Sequence, residues 1–330
     1  MDPPLIIARA VHFAAELSLL GFLGFPLLIA APIHARSGAP VPLALRRVYR
    51  AGAWTSLALA LLSAVPWLLL VAHDMSGASW RDLAATGVLS TVLSSTQFGR
   101  VWLLRMLILA ALFPCLTALG RRRAIDGLGI ALAATLVAAT AWQGHAGAEA
   151  GFAGAVHLVA DAAHLVAAGA WLGSLMPLAL LLVQARRADE RSDRVAAAGA
   201  RAFSDLGLAC VAILLVTGLI NAWFLVGSFA GLFGTAYGRL LLAKIALFAV
   251  MLVIAAFNRL DLLPRLEVTG ARSRGAAARL ARNALIEAVI GLGVVAIAAT
   301  LGTLPPAAHE PVSGLHAALT SGHGAPSHPH

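Results

Sequence analysis

Eight apolar runs of bilayer-spanning length constrain this chain more than any other feature. They lie at about residues 5–32, 52–73, 100–119, 127–144, 154–184, 205–228, 239–257 and 284–303. A helix rises 1.5 Å per residue, so a hydrocarbon core of about 30 Å takes about 20 of them. Inside hydrocarbon each backbone N–H and C=O needs a partner within the protein, and for segments of this length the helix supplies it. The expected fold is therefore all-α: a polytopic membrane protein of about eight transmembrane helices. Composition agrees, with 60% hydrophobic and only 12% charged residues, where soluble domains carry about a quarter charged. The first and fifth runs exceed a simple span, and Pro26 and Pro177 near their far ends predict kinks.

The formal charge of +9 would point a soluble protein toward nucleic acid, but here the arginines mark topology. Arg36, Arg46, Arg47 and Arg50 follow the first run, and Arg121, Arg122 and Arg123 the third. Arg186, Arg187, Arg191, Arg194 and Arg201 follow the fifth, and Arg259, Arg265, Arg272, Arg274, Arg279 and Arg282 the seventh. These alternate connections hold 18 of the 24 cations, which places them in the cytoplasm and both termini outside. The opening MDPPLIIARAVHF lacks a basic leader and reads as a retained helix. Residues 79–95 read as a short interfacial helix, and Trp67, Trp80, Trp142 and Trp223 as an outer aromatic belt. Cys115 and Cys210 sit in separate apolar runs without paired spacing, as small hydrophobes or as soft ligands at an exit. No GxxxxGK[ST] loop is present, and no enzymatic chemistry is expected.

The chain also repeats itself. Thr96-Gln-Phe-Gly-Arg100 and Thr235-Ala-Tyr-Gly-Arg239 open the third and seventh runs, followed five residues later by Arg105 and Lys244. RAVHFAAELSLLGFLGFPL aligns with DAAHLVAAGAWLGSLMPL, setting His12 on His164, Gly21 on Gly173 and Arg9 on Asp161. Two parallel four-helix repeats follow: a first half over residues 1–145, a second over 146–306, and a His-containing flexible tail over 307–330. Transporters with such repeats bind their substrate at the repeat interface. An Arg9–Asp161 pair across that interface would explain how both charges are tolerated at depth.

Ionisable groups are costly in hydrocarbon, yet His145, His157, Asp161 and His164 descend from the outer face, with His12 near mid-membrane. His157, Asp161 and His164 are spaced i, i+4, i+7, which keeps them within about 60° of one helix face; His12 and Glu16 share a face likewise. Imidazole suits copper, zinc, iron and nickel, and a carboxylate ligates or fixes a histidine's tautomer. The candidate metal residues are thus His12, His145, His157, Asp161 and His164, with Arg9 and Glu16 in support. A lone membrane histidine bonded to a neighbouring helix is equally ordinary, so the clustering on one side carries the weight. His73 and Met75, in HDMSG at an outer helix end, form a candidate entrance that an interfacial methionine and a helix-end histidine explain as well. The tail histidines His316, His323, His328 and His330 are loose ligands or a solvated end.

The blocks TQFGRVWLLRMLIL, WQGHA, HLVADAAHLVAAGAWLGSLMPL, FSDLGLACVAILLVTGLINAW, TAYGRLLLAKIALF and NRLDLLPRL resemble the copper resistance protein D (CopD/PcoD) family of bacterial inner-membrane proteins. The resemblance runs in order through about residues 5–306. It implies a multi-helix inner-membrane protein taking copper ion from the periplasm toward the cytoplasm, with a CopC-like periplasmic copper-binding protein as a separate partner. The metal-handling role then falls on His145, His157 and His164, which sit in the matching blocks. Two further classes stay open: a b-type haem electron-transfer protein with His12 and His164 as axial ligands, and a copper-binding assembly or receptor subunit that does not transport.

Overall fold

The computed structural model describes residues 2–38, 40–185, 190–267 and 271–309. Arg186, Arg187 and the tail histidines His316, His323, His328 and His330 lie outside the described residues. Among the described residues eight helices are long and apolar enough to cross a membrane: α1 (Pro3–Arg36), α2 (Leu43–Ser76), α3 (Gln97–Thr117), α4 (Arg123–Gln143), α5 (Gly151–Gln184), α6 (Glu190–Val226), α7 (Ala236–Leu266) and α8 (Ser273–Leu301). The protein is an all-α membrane protein.

Several helices outrun the apolar segments that announce them. Helix α2 begins at Leu43 and α6 at Glu190, each carrying arginines in the added turns. Hydrophobicity marks where a helix needs lipid, whereas its backbone ladder continues into water. Residues 79–95 form two short helices, Trp80–Ala85 and Val88–Ser95, hinged at Gly87 with φ +72°, a conformation that glycine adopts without strain.

Departures from α-helical geometry in the long helices fall close to prolines. Helix α1 widens into a π-turn at Pro26–Ala30 and α7 into another at Asn258–Leu262. Each lies just before a proline, Pro32 or Pro264, whose missing N–H leaves an upstream carbonyl without its helical donor. Helix α5 breaks at Gly173 and Ser174 and resumes at Leu175, putting Pro177 in the first turn of the new segment, where a missing N–H costs little.

Helix α1 lies at the centre, packed on α2, α4, α5 and α8, while α5 packs on α6 and α4. Gly21 and Gly173 meet where α1 crosses α5. A Cβ on Gly21 would overlap the backbone of Gly173, and one on Gly173 would overlap the Leu17 carbonyl. Small residues at such crossings let backbones approach closely enough for dense packing. Around this crossing, Leu19, Leu23, Leu57, Leu109, Leu112 and Leu136 fill the first half's core, and Phe25, Leu175, Leu178, Leu182 and Leu280 that of the second half toward the basic end. Leu62, Leu107, Val159, Leu219, Val253 and Val289 are exposed on the perimeter, the place of lipid contact in a protein of this type.

Candidate functional site

Corresponding positions in the two halves make matching bonds. Thr96 accepts from the Gly99 N–H at the start of α3, and Thr235 from the Gly238 N–H at the start of α7. His12 Nδ1 lies 2.9 Å from Ser63 Oγ, and His164 Nδ1 lies 3.0 Å from Thr217 Oγ1. Both hydroxyls donate back to carbonyls four residues earlier, Leu59 and Ile213, the usual way to satisfy a hydroxyl on a membrane helix. The halves differ in what surrounds these histidines.

In the first half the surroundings are filled. His12 Nε2 stands 3.1 Å from Glu16 Oε1, and Arg105 Nη2 donates to the same oxygen at 2.6 Å. Thr140 donates to the other carboxylate oxygen at 3.2 Å, and Arg105 Nη1 donates to Gln143. Trp67 covers the group, its ring 5.0 Å from that of His12 and 5.2 Å from the Arg105 guanidinium. His12, Glu16, Arg105 and Trp67 are each sealed from solvent. Both ring nitrogens of His12 are thus in use, Nδ1 toward Ser63 and Nε2 toward Glu16. Trp67 therefore belongs to the interior, not to the interfacial belt. The sequence exposed Arg105 as a cation at depth but gave it no partner; that partner is Glu16.

Around His164 the space is open. A cavity of about 400 Å³ is lined by His145, His157, Asp161 and His164, together with Arg9, Asn221, Tyr237 and Lys244, above an apolar floor that includes Leu214, Phe248 and Met251. Asp161 Oδ1 accepts from Asn221 at 3.1 Å. His157 stacks flat on Phe224 at 4.7 Å and pairs through Nδ1 with Glu149 at 3.0 Å. His145 Nε2 lies 3.4 Å from the Leu301 carbonyl. It sits in the connection between α4 and α5, where burial pushes its imidazole below its ordinary range, so it is neutral at pH 7, the form that ligates metals.

Four of the five metal candidates thus share one cavity, and His12 does not line it. Among the described residues no three His, Cys, Asp or Glu side chains stand close enough together to hold a metal ion. The direct Arg9–Asp161 pair is not formed. Arg9 instead donates to the Gly302 carbonyl at 3.2 Å, with Nε buried and unpartnered, while Asp161 is held by Asn221. The two lie on the same cavity and both are deep, but α8 reaches Arg9 first. Lys244, paired in sequence with Arg105, shares the cavity with Asp161 and interacts with it electrostatically. His73 and Met75 lie elsewhere: His73 bonds the Ala78 carbonyl at 2.7 Å and stacks on Trp80, and Met75 is exposed. Cys115 and Cys210 are free and buried.

An eight-helix membrane protein with one histidine-lined cavity is the class this arrangement defines. Comparison with known proteins then gives its kin. Residues 1–155 match the copper resistance protein D-like N-terminal domain, and residues 197–301 match copper resistance protein D. Copper resistance protein D of Pseudomonas syringae pv. tomato is 34% identical over 93% of this chain and 98% of its own length. Inner membrane protein YebZ of Escherichia coli (strain K12) is 31% identical over 91% of this chain and 98% of its own. Copper transport protein CutJ of Bacillus subtilis (strain 168) is 29% identical over 77% of this chain and 45% of its own. No solved structure matches. The chain belongs to the copper resistance protein D family.

Proposed function

We propose that this protein is an inner-membrane copper transporter that accepts copper ion on its outer, periplasmic side and passes it toward the cytoplasm. The observation that carries this reading is the gathering of His145, His157, Asp161 and His164 on one cavity, which α1 and the end of α4 line together with α5, α6, α7 and α8. Imidazole nitrogens and a carboxylate are competent copper donors, and charged or ionisable groups at such depth mark substrate pathways. The names of the relatives, which speak of copper resistance and copper transport, support the cargo. The basic connections after α1, α3, α5 and α7 support cytoplasmic placement of those ends and outward-facing termini. A CopC-like periplasmic protein is the donor that this orientation suits.

The cavity already holds Arg9 and Lys244 against Asp161. A copper ion entering it adds charge, so its binding displaces a proton or rearranges the Lys244–Asp161 couple. The two halves are parallel repeats in this reading, the first serving as a locked scaffold and the second as the working half.

The test is copper entry into proteoliposomes containing a trapped copper-sensitive dye, for the wild type and His164→Ala. Entry that depends on the protein and is lost in the variant supports the reading. Copper bound by the purified protein without any entry favours a receptor or assembly subunit. A Soret band in the purified protein, lost in His164→Ala, favours haem.

A further inference from the structure

A second cavity, of about 250 Å³, lies among α5, α6, α7 and α8 and is lined by none of the candidate metal residues. Its lining divides each helix in chain order. On α5 the histidine cavity takes residues 157–172 and the second cavity residues 171–178; on α7 the first takes 237–251 and the second 252–263. On the antiparallel helices the order reverses: α6 gives 200–211 to the second cavity and 214–225 to the first, and α8 gives 280–287 and then 291–302. The two cavities are therefore stacked along the axes of α5, α6, α7 and α8, with α1 and the end of α4 also lining the first. Trp171 is common to both, 3% exposed, packed edge-on against Phe248 and with its indole nitrogen against Gly207.

The polar group in the second cavity is Glu287, 2% exposed in the middle of a membrane helix. Its Oε1 accepts from Asn258 Nδ2 at 2.8 Å, and Asn258 Oδ1 accepts from Asn283 at 2.7 Å. Asn258 opens the π-turn of α7, and π-turns recur at functional sites because they re-aim one side chain out of the helical ladder. Arg259, at the same cavity, is already tied to Ser204 and Asp205, so it does not neutralise Glu287. A carboxylate buried in a membrane without a cationic partner is costly, and a transient cation is what makes it useful.

Resting on the transport reading, we propose that the second half holds a two-chamber path, closed at Trp171, and that Glu287 with Asn258 forms an inner station for the copper ion after it leaves the histidine cavity. Oxygen donors there are harder than the imidazoles above, so the ion is held less tightly at the inner station than at the outer one and is released toward the basic side.

The experiment compares wild type, Glu287→Gln, Glu287→Asp and Trp171→Ala for copper bound by the purified protein and copper entry into proteoliposomes. Gln keeps an acceptor for Asn258 and cannot ionise, so the hydrogen bond between α7 and α8 is retained while the acidic group is lost. Expected for Glu287→Gln is loss of the inner-station copper with that of the histidine cavity retained, and entry lowered about tenfold or more, partly restored in Glu287→Asp; Trp171→Ala is expected to raise entry. Active wild type with unchanged entry in both Glu287→Gln and Trp171→Ala overturns the two-chamber path and leaves the transport reading intact. A wild type that admits no copper removes the transport reading and this proposal with it.

Discussion

Glu16 and Arg105 meet at 2.6 Å with almost no exposure to solvent, in the half of the protein whose counterpart is hollow. Their partners close the group on every side, so neither charge is free to serve a passing ion. The pair ties α1 to α3 and fixes His12 in place.

Breaking that pair leaves an uncompensated charge in the interior. Glu16→Leu or Arg105→Met alone is expected to cost about 3–5 kcal/mol, read as a lower unfolding temperature in detergent. The double variant is expected to recover much of that loss. A loss in the double variant equal to the sum of the two single losses would show that the pair contributes little.

The crossing of α1 and α5 tolerates no added atoms. Gly21→Ala and Gly173→Ala each force a methyl group into backbone, and overpacking of this kind costs about 1–3 kcal/mol. Gly24→Ala, where the space is open, is the control and should behave as wild type in size-exclusion yield.

The two histidine environments separate by copper content. His157→Ala and His164→Ala are expected to lower copper bound per protein, measured by elemental analysis, whereas His73→Ala is not, because His73 is engaged with Ala78 and Trp80. His12→Ala is expected to act through stability first, since it uncaps Glu16 and Ser63.

Acid should empty the histidine cavity late. Burial holds His145 neutral to a lower pH than an ordinary imidazole, so its share of copper binding persists as pH falls through about 6.5 and is lost below it. In the same window the unfolded chain binds the extra proton and the folded one does not, so stability also falls with falling pH. A copper titration against pH checks this. Binding that declines above about 6.5, or a low-pH step unchanged in His145→Ala, would contradict it.

Run length and arginine placement were enough to read eight spanning helices from the sequence, because lipid penalises any break in the backbone ladder. The shared face of His157, Asp161 and His164 was equally legible, since helical spacing is local. The fate of His12 was not: it depends on Ser63, Glu16 and Trp67, brought together from two helices. Arg9 and Asp161 show the limit of the repeat. Positions that align in sequence need not touch in space: Gly21 and Gly173 do, whereas Arg9 and Asp161 do not. The partners of Asp161 and His157, Asn221 and Glu149, carried no signal beyond being polar residues near apolar runs.

Two backbones in direct contact at Gly21 and Gly173 have nothing soft between them. Relative movement of the halves along the helix axes would drive the Leu17 carbonyl into the opposing chain, whereas rotation about the contact meets far less resistance. The crossing is thus the point at which α1 and α5 are pinned to one another, and any displacement between them grows with distance from it.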